Sequence, residues 1–405
     1  MAELSTKVLF HLAFFVTLSI VVFSLFAIIF PGFLLVAFSS YPTNFEPFES
    51  SVWLVPIVSS NSILLIIGFA YYRKKLPLQI HKGIEFILNF EISKKTALLT
   101  GIIILVVYIG FSLPELFVDE AEEWDDYHAV LLPALEIWPS TDSDFIHVNE
   151  QNTRYVKMLL LDTSLDIFQN IKLLPFVASI LLVVVTFFLT YQITQKRFAG
   201  IISMVILLQS HTFLHFDTTA VYANFWVLFY VVSLYAINRK WQYSSISYLL
   251  SIFSNAVIAV FFLPSLYYIC RASISARKKL YTLASYAALL IVILSVFSFR
   301  ESIFFDIINI SSSEFFLAFN ALGYTLRYDL IIVLSLLPLT LGLFFKFRKE
   351  NSRKADSILV LILTALLAGP VISMLTDFYF ILPHRFLPLI VFVAVGIGVL
   401  LSKKN

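Results

Sequence analysis

One cysteine, Cys270, stands in a chain of 405 residues, which excludes an intramolecular disulfide and a cysteine-based zinc site. Charge is scarce as well. Asp, Glu, Lys and Arg make up 13% of the chain and apolar residues 60%, with 42 Phe, whereas soluble domains carry about 25% charge. The sequence has no internal repeat, low-complexity tract or soluble domain, and no nucleic-acid partner is expected. The first apolar stretch lacks a small-residue A-x-A cleavage site and runs through Pro31 and Gly32 into more apolar residues. It is therefore expected to stay as an anchor and not to be removed as a signal peptide.

What the chain does have is long apolar runs. A hydrocarbon core about 30 Å thick needs roughly 20 apolar residues per helix. By that ruler, runs lie near 8–37, 51–72, 96–114, 172–193, 198–213, 219–237, 281–299, 329–346, 357–376 and 382–401. Bases flank the segment 243–270 on both sides (Arg239 and Lys240, then Arg271 and Arg277 to Lys279), so a single crossing would put one cluster on the wrong face. It reads as two short helices turning near Ser254 and Asn255. The expected fold is all-α: a polytopic integral membrane protein of about 12 transmembrane helices, with both termini on one face.

Charge gives an independent test of that topology. The N-terminus, 73–95, 195–197, 238–242, 271–279, 346–356 and 402–405 together hold 22 of the 28 Lys and Arg, which marks their side as cytoplasmic. The other side keeps six bases (Arg154, Lys157, Lys172, Arg300, Arg327 and Arg385) against 21 of the 26 acids. A plasma-membrane protein with its chemistry outside is expected. Two outward connections are long, 114–171 and 300–328, and any exoplasmic chemistry must sit on them. In the first, "HAVLLPALEIW" reads as an amphipathic segment in the headgroup plane, followed by the polar turn "PSTDSDF" and by "RYVKMLLLDTSLDIF". A packed helical cap is expected there. The chain divides into two N-terminal spans with a cytoplasmic loop (1–95), a core (96–401) and a tail (402–405). Asn309-Ile310-Ser311 fits the glycosylation acceptor pattern on an outward loop.

The densest negative charge is "FVDEAEEWDDYH", 117–128, with six carboxylates in twelve residues, just beyond an apolar run. A helix over 118–128 would put Asp119, Glu122, Glu123 and Asp126 on one face and Glu120, Trp124 and Tyr127 on another. Crowded carboxylates ionise together with difficulty, and one beside an aromatic wall is partly desolvated, which suits a general base near neutral pH. A solvated helix start is the plain alternative. Position favours the first reading, because carboxylates at a span's end are costly unless they line a polar cavity.

The pair Asp119-Glu120, opening the first long outward loop and followed by Trp124 and by Tyr127-His128, resembles the signature of GT-C glycosyltransferases. The closest pattern is that of the protein O-mannosyltransferase and aminoarabinose-transferase branch. "QKRFAGIISMVILLQS" is similar to that branch's tight cytoplasmic turn and short helix. "HFDTTAVYANFWVLFYVVSLYAINRK" resembles its next element, with an Asp before a span that ends in bases, and "PHRFLPLIVFVAVGIGVL" resembles its late helix. The likeness covers about 96–401. It implies an inverting transfer from a polyprenyl-phosphate-linked sugar to a hydroxyl of a protein, lipid or glycan acceptor. Asp119 would accept the hydroxyl proton, and Glu120 would orient the acceptor or a metal-bound water. Arg385, with His384 and Lys172, would hold the donor phosphate. Asp217, Asp126, Trp124, Tyr127 and His128 would shape the acceptor cavity. The chain departs from the pattern in having Lys172 where an Arg often stands, and in its further carboxylates Glu122, Glu123, Asp125 and Asp126.

Arg suits a desolvated phosphate because its fork makes two charge-assisted bonds. Snorkelling to lipid headgroups is the alternative for Arg385 and Lys172. His211 and His215, four apart with Asp217 following, have a spacing that suits a metal, or they fill space as hydrogen-bonded rings. A divalent cation on Asp119, Glu120 or Asp126 would neutralise the donor phosphate. Two other classes stay open. A transporter would place charge near mid-membrane, and here the acids gather at one rim. A structural, non-catalytic subunit would use the two N-terminal helices for docking.

Overall fold

The structure is a computed structural model that describes residues 2–38, 46–140, 148, 151, 154–298, 310–350, 353–375 and 382–402. Asp142, Asp144, Arg300, Asn309 and the tail 403–405 lie outside the described residues.

Among the described residues every regular element is a helix. Among the described residues seven helical segments are long and apolar enough to cross a membrane, at His11–Ile29, Leu54–Tyr72, Lys94–Phe117, Leu173–Thr194, Leu330–Arg348, Ala355–Leu375 and Pro383–Leu400. The chain is an all-helical membrane protein. Several other apolar runs form shorter helices, such as Arg197–Leu208 and Phe225–Arg239.

The first apolar run is two helices, α1 (Ala2–Ile29) and α2 (Pro31–Phe38), because Pro31 has no N–H to continue α1 and suits the first position of a new helix. Ser51 takes up the carbonyls freed at the end of α1: its N–H donates to Ile29 O (2.7 Å) and its hydroxyl to Ile28 O (2.8 Å). The chain continues through α3 (Leu54–Tyr72), α4 (Leu78–Asn89) and α5 (Lys94–Ser112), the last capped by Ser93, which accepts from Thr96 N at 3.1 Å. Among the described residues, the first long connection includes the helices α6 (Glu120–Glu123), α7 (Leu132–Glu136) and α8 (Tyr155–Phe168).

The core follows: α9 (Leu173–Thr194), α10 (Arg197–Leu208), α11 (His211–His215), α12 (Phe225–Arg239), α13 (Gln242–Ser254), α14 (Phe262–Arg271) and α15 (Ala276–Ser298). Between α9 and α10, Gln195 adopts a left-handed φ of 60°. The basic pair after it docks on the α4–α5 linker, Lys196 Nζ donating to Leu88 O (2.7 Å) and Arg197 pairing with Glu91 (3.2 Å). The chain turns after Ser254, where extended Asn255 caps the next turn by accepting from Val257 N.

Within the 300–328 connection lies α16 (Ser312–Leu326), capped by Ser311 and packed on α1, α2 and the later helix α18 (Arg353–Leu375). The bundle closes with α17 (Leu330–Glu350), α18 and α19 (Leu387–Leu400). Helix α19 sits at the centre, against α9, α10, α17 and α18, and its span is 78% buried. Gly398 permits this approach, since a Cβ there would meet Thr190 Cγ2 at 2.6 Å and Ala199 O at 2.9 Å. By contrast α3 and α5 are only 11% and 17% buried, so their apolar faces look outward to lipid.

Candidate functional site

Ser112 at the end of α5, Lys172 before α9, the loop 216–224 before α12 and His384 before α19 meet at one end of the bundle. The acidic stretch folds over this end, and it is not the single helix expected over 118–128. Asp119 caps α6 by accepting from Ala121 N (3.0 Å), the helix lasts four residues, and Trp124 is extended at φ −138° and ψ 113° before a wide turn over Tyr127–Leu131. Two tertiary contacts break the helix. Glu120 Oε1 accepts from the backbone N–H groups of Ala220 (2.8 Å) and Val221 (2.9 Å). The Trp124 indole stacks on Phe216 (5.4 Å between centroids) and meets Tyr222 edge-on at 5.0 Å. Glu120 and Trp124 are thereby pulled toward the 216–224 loop and no helical face of four acids forms.

Glu120 is 3% exposed and Lys172 2%. Lys172 Nζ lies 2.6 Å from Glu123 Oε2 and 3.7 Å from Glu120 Oε2, and it donates to Glu115 O at 3.2 Å. A buried ammonium is tolerated only when such acceptors replace its water. Burial pushes the Glu120 carboxyl above its usual value, opposed by the Val221 N–H, the Lys172 charge and the Ala220 N–H. Asp217 is fully buried and accepts from Ser112 Oγ at 2.7 Å, while its carbonyl accepts from Ser179 Oγ at 2.7 Å. Desolvation lifts the Asp217 carboxyl to about 7, the Ser112 bond holding it back in part.

A second group lies behind Trp124. The Tyr222 hydroxyl donates to Asp126, and the Tyr222 ring stacks on buried His384 at 4.3 Å. Burial, then the bond and charge of Asp126, push the Tyr222 phenol up. The charges of Arg385, Arg154 and Lys157 reach the buried His384. Lys157 is buried and donates to Val221 O (2.8 Å), so Lys157 and Glu120 grip the two sides of residue 221. Arg385 is half-buried and its charge reaches Tyr222.

In front of Trp124 opens a cleft of about 310 Å³ lined by Glu115, Glu123, Trp124, His215, Thr218 and Thr219. Thr218 Oγ1 lies 3.4 Å from Glu115 Oε2. Burial and the neighbouring His211 hold the His215 imidazole below its usual pKa. Of the residues singled out in the sequence, Trp124 lines this cleft, and Glu120, Lys172 and Asp217 lie buried around it. Asp126 and His384 belong to the Tyr222 group behind. Asp119 is exposed, and Tyr127 is half-buried with its phenol raised by burial and by the charges of Glu120 and Asp119. His128 is exposed against the Tyr127 ring at 5.4 Å.

Glu115, Thr218 and Thr219 were not singled out in the sequence. The one local signal for Thr218 and Thr219 is the polar pair in "HFDTTAVYANF", and Glu115 has none. His211 and His215 stack on each other at 5.6 Å while Asp217 turns to Ser112, so the three do not converge. Among the described residues no group of three or more His, Cys, Asp or Glu side chains is arranged to hold a metal ion. Comparison with family models, curated proteins and solved structures gives no match for this chain.

Chemically, the arrangement offers carboxylates and hydroxyls in a cleft, an indole wall and a cluster of bases beyond it. Glu120 Oε2, Trp124 Nε1, Asn224 Oδ1 and His384 Nδ1 are buried with no hydrogen-bond partner among the described residues. Buried polar groups are normally satisfied, so this end of the bundle holds unused capacity for polar contacts.

Proposed function

We propose that the protein is a membrane glycosyltransferase of the GT-C kind, with about twelve crossings and cytoplasmic termini. It would move a sugar from a polyprenyl-phosphate carrier to an acceptor hydroxyl on the exoplasmic face of the plasma membrane. The observation that carries this reading is the cleft at the end of lipid-facing α5. It joins Glu115, Glu123, Thr218 and Thr219, through the rings of Trp124 and Tyr222, to His384, which the charges of Arg385, Arg154 and Lys157 reach. A sugar binds through hydroxyl bonds to carboxylate and threonine oxygens and through ring packing on an indole.

In this reading the acceptor oxygen attacks the anomeric carbon, the carbon–oxygen bond to phosphate breaks, and the phosphate leaves on its carrier. Asp119, exposed at the α6 cap, takes the hydroxyl proton. Glu120 fixes the 220–221 peptides, Lys172 neutralises Glu120 and Glu123, and Arg385 with His384 meets the departing phosphate.

The test uses purified protein in nanodiscs supplied with polyprenyl-phosphate mannose and aminoarabinose. Release of carrier phosphate is expected from the wild type. Asp119→Asn keeps a cap acceptor and should leave the unfolding temperature unchanged while slowing release about 10²–10⁴-fold, the usual worth of a general base. An undiminished rate in Asp119→Asn would remove that residue from the mechanism. Failure of the wild type to cleave any polyprenyl-linked saccharide would overturn the whole reading.

A further inference from the structure

Arg327 lies between α16 and α17, three residues before the apolar span Leu330–Arg348. Its guanidinium carbon sits 3.7 Å from the centroid of the Tyr324 ring and 5.3 Å from that of Tyr328. Both rings are about half exposed, and His211 stacks on Tyr328 at 5.7 Å. Acids are in large excess on this side of the charge map, yet among the described residues no ion pair includes Arg327. The acid nearest in sequence, Asp329, is turned into the protein. It is 3% exposed and accepts from Ser210 Oγ (2.6 Å), Thr212 N (3.3 Å) and the Thr212 hydroxyl.

The contrast with the other bases at this end is clear. Lys172 closes on Glu123 and Lys157 on Val221 O, whereas Arg327 is held through its flat face by aromatic rings. Face-on stacking occupies the π surface and leaves the N–H edge of the fork for an acceptor, which is the geometry that favours Arg for phosphate. Leu214 and Leu330 present exposed apolar side chains on the flanking helices α11 and α17.

We propose that Arg327, framed by Tyr324, Tyr328 and His211, binds the phosphate of a lipid at headgroup depth. This site shares no residue with the Arg385 and His384 group and does not depend on sugar transfer. The fork takes two phosphate oxygens, and Leu214 and Leu330 meet the first carbons of the lipid chain.

The test is native mass spectrometry of the full chain in detergent, titrated with phosphatidic acid and, as the tail-only control, with diacylglycerol. One phosphatidic acid is expected to be retained. Arg327→Gln should weaken it about tenfold, Arg327→Lys less, with unfolding temperatures unchanged. Tyr324→Leu should also weaken it, because the stack that orients the fork is lost. Equal retention by Arg327→Gln and wild type, or equal retention of diacylglycerol, would overturn the site. Displacement by inorganic phosphate at the lipid's own concentration would reassign it to a free anion and overturn the lipid assignment.

Discussion

At the basic end of the bundle Asp356 closes directly on Arg271 at 2.5 Å, and the Tyr267 hydroxyl completes the pair at 2.9 Å. At the acid-rich end Lys172 closes on Glu123 instead, and Glu120 hangs between that ammonium and two peptide N–H groups of the 216–224 loop. The first arrangement pins α14 to α18 through a one-to-one ion pair. The second shares one cation between two carboxylates and borders a cleft of about 310 Å³. The same ingredients, a buried acid and a buried base, thus make a clamp in one place and an open polar site in the other.

The sharpest way to break this comparison is to remove the cation from each end. Lys172→Met and Arg271→Met each strand a buried carboxylate, and each should cost about 3–5 kcal/mol by thermal unfolding in nanodiscs. Only Lys172→Met should also abolish sugar transfer by the protein that remains folded. Loss of transfer in both, at equal folded fraction, would erase the distinction between clamp and site.

Protonation gives the next largest effect. The Asp217 carboxyl is raised to about 7 in the folded protein, from an ordinary value near 4 in the unfolded chain. The folded state therefore holds the proton more tightly. Its stabilising contribution is complete below about pH 4 and is lost as pH rises through about 7, a change on the order of a few kcal/mol. Glu120 shifts in the same direction. Unfolding temperatures from pH 4 to 8 should fall less in Asp217→Asn than in the wild type. A difference between the two that stays constant with pH would contradict the buried, protonated Asp217.

The smallest effect compares two tyrosines. Tyr222→Phe removes the bond to Asp126 and Tyr267→Phe the bond to Asp356, and each should cost about 1 kcal/mol. Tyr222→Phe alone should change donor turnover, since its ring lies between the cleft wall and His384. No change in turnover for Tyr222→Phe would detach the His384 group from the cleft.

Much of the helical fold was legible in the residues, because apolar run length and the flanking bases of 243–270 act locally, whereas the run 8–37, read as one, divides at Pro31. The break at Trp124 was not. It depends on Glu120 reaching Ala220 and Val221 and on Trp124 reaching Phe216, contacts that no periodicity within 118–128 encodes. Lys172 read as a cation for phosphate or headgroups, and its closure on Glu123 and Glu120 appears only when α9 is placed beside the acidic stretch. Glu115 and Thr218 looked ordinary for the same reason, since neither lines anything until α5 meets the 216–224 loop.

The central claim is that the acid-rich end takes the lipid-linked sugar, and photocrosslinking tests it directly. A diazirine-bearing polyprenyl-phosphate sugar, photolysed on the purified protein, is expected to label peptides within 115–128 and 215–224, and excess unmodified donor should suppress the label. Label confined to the opposite end around Tyr267 and Asp356, or label that excess donor leaves untouched, would contradict the account.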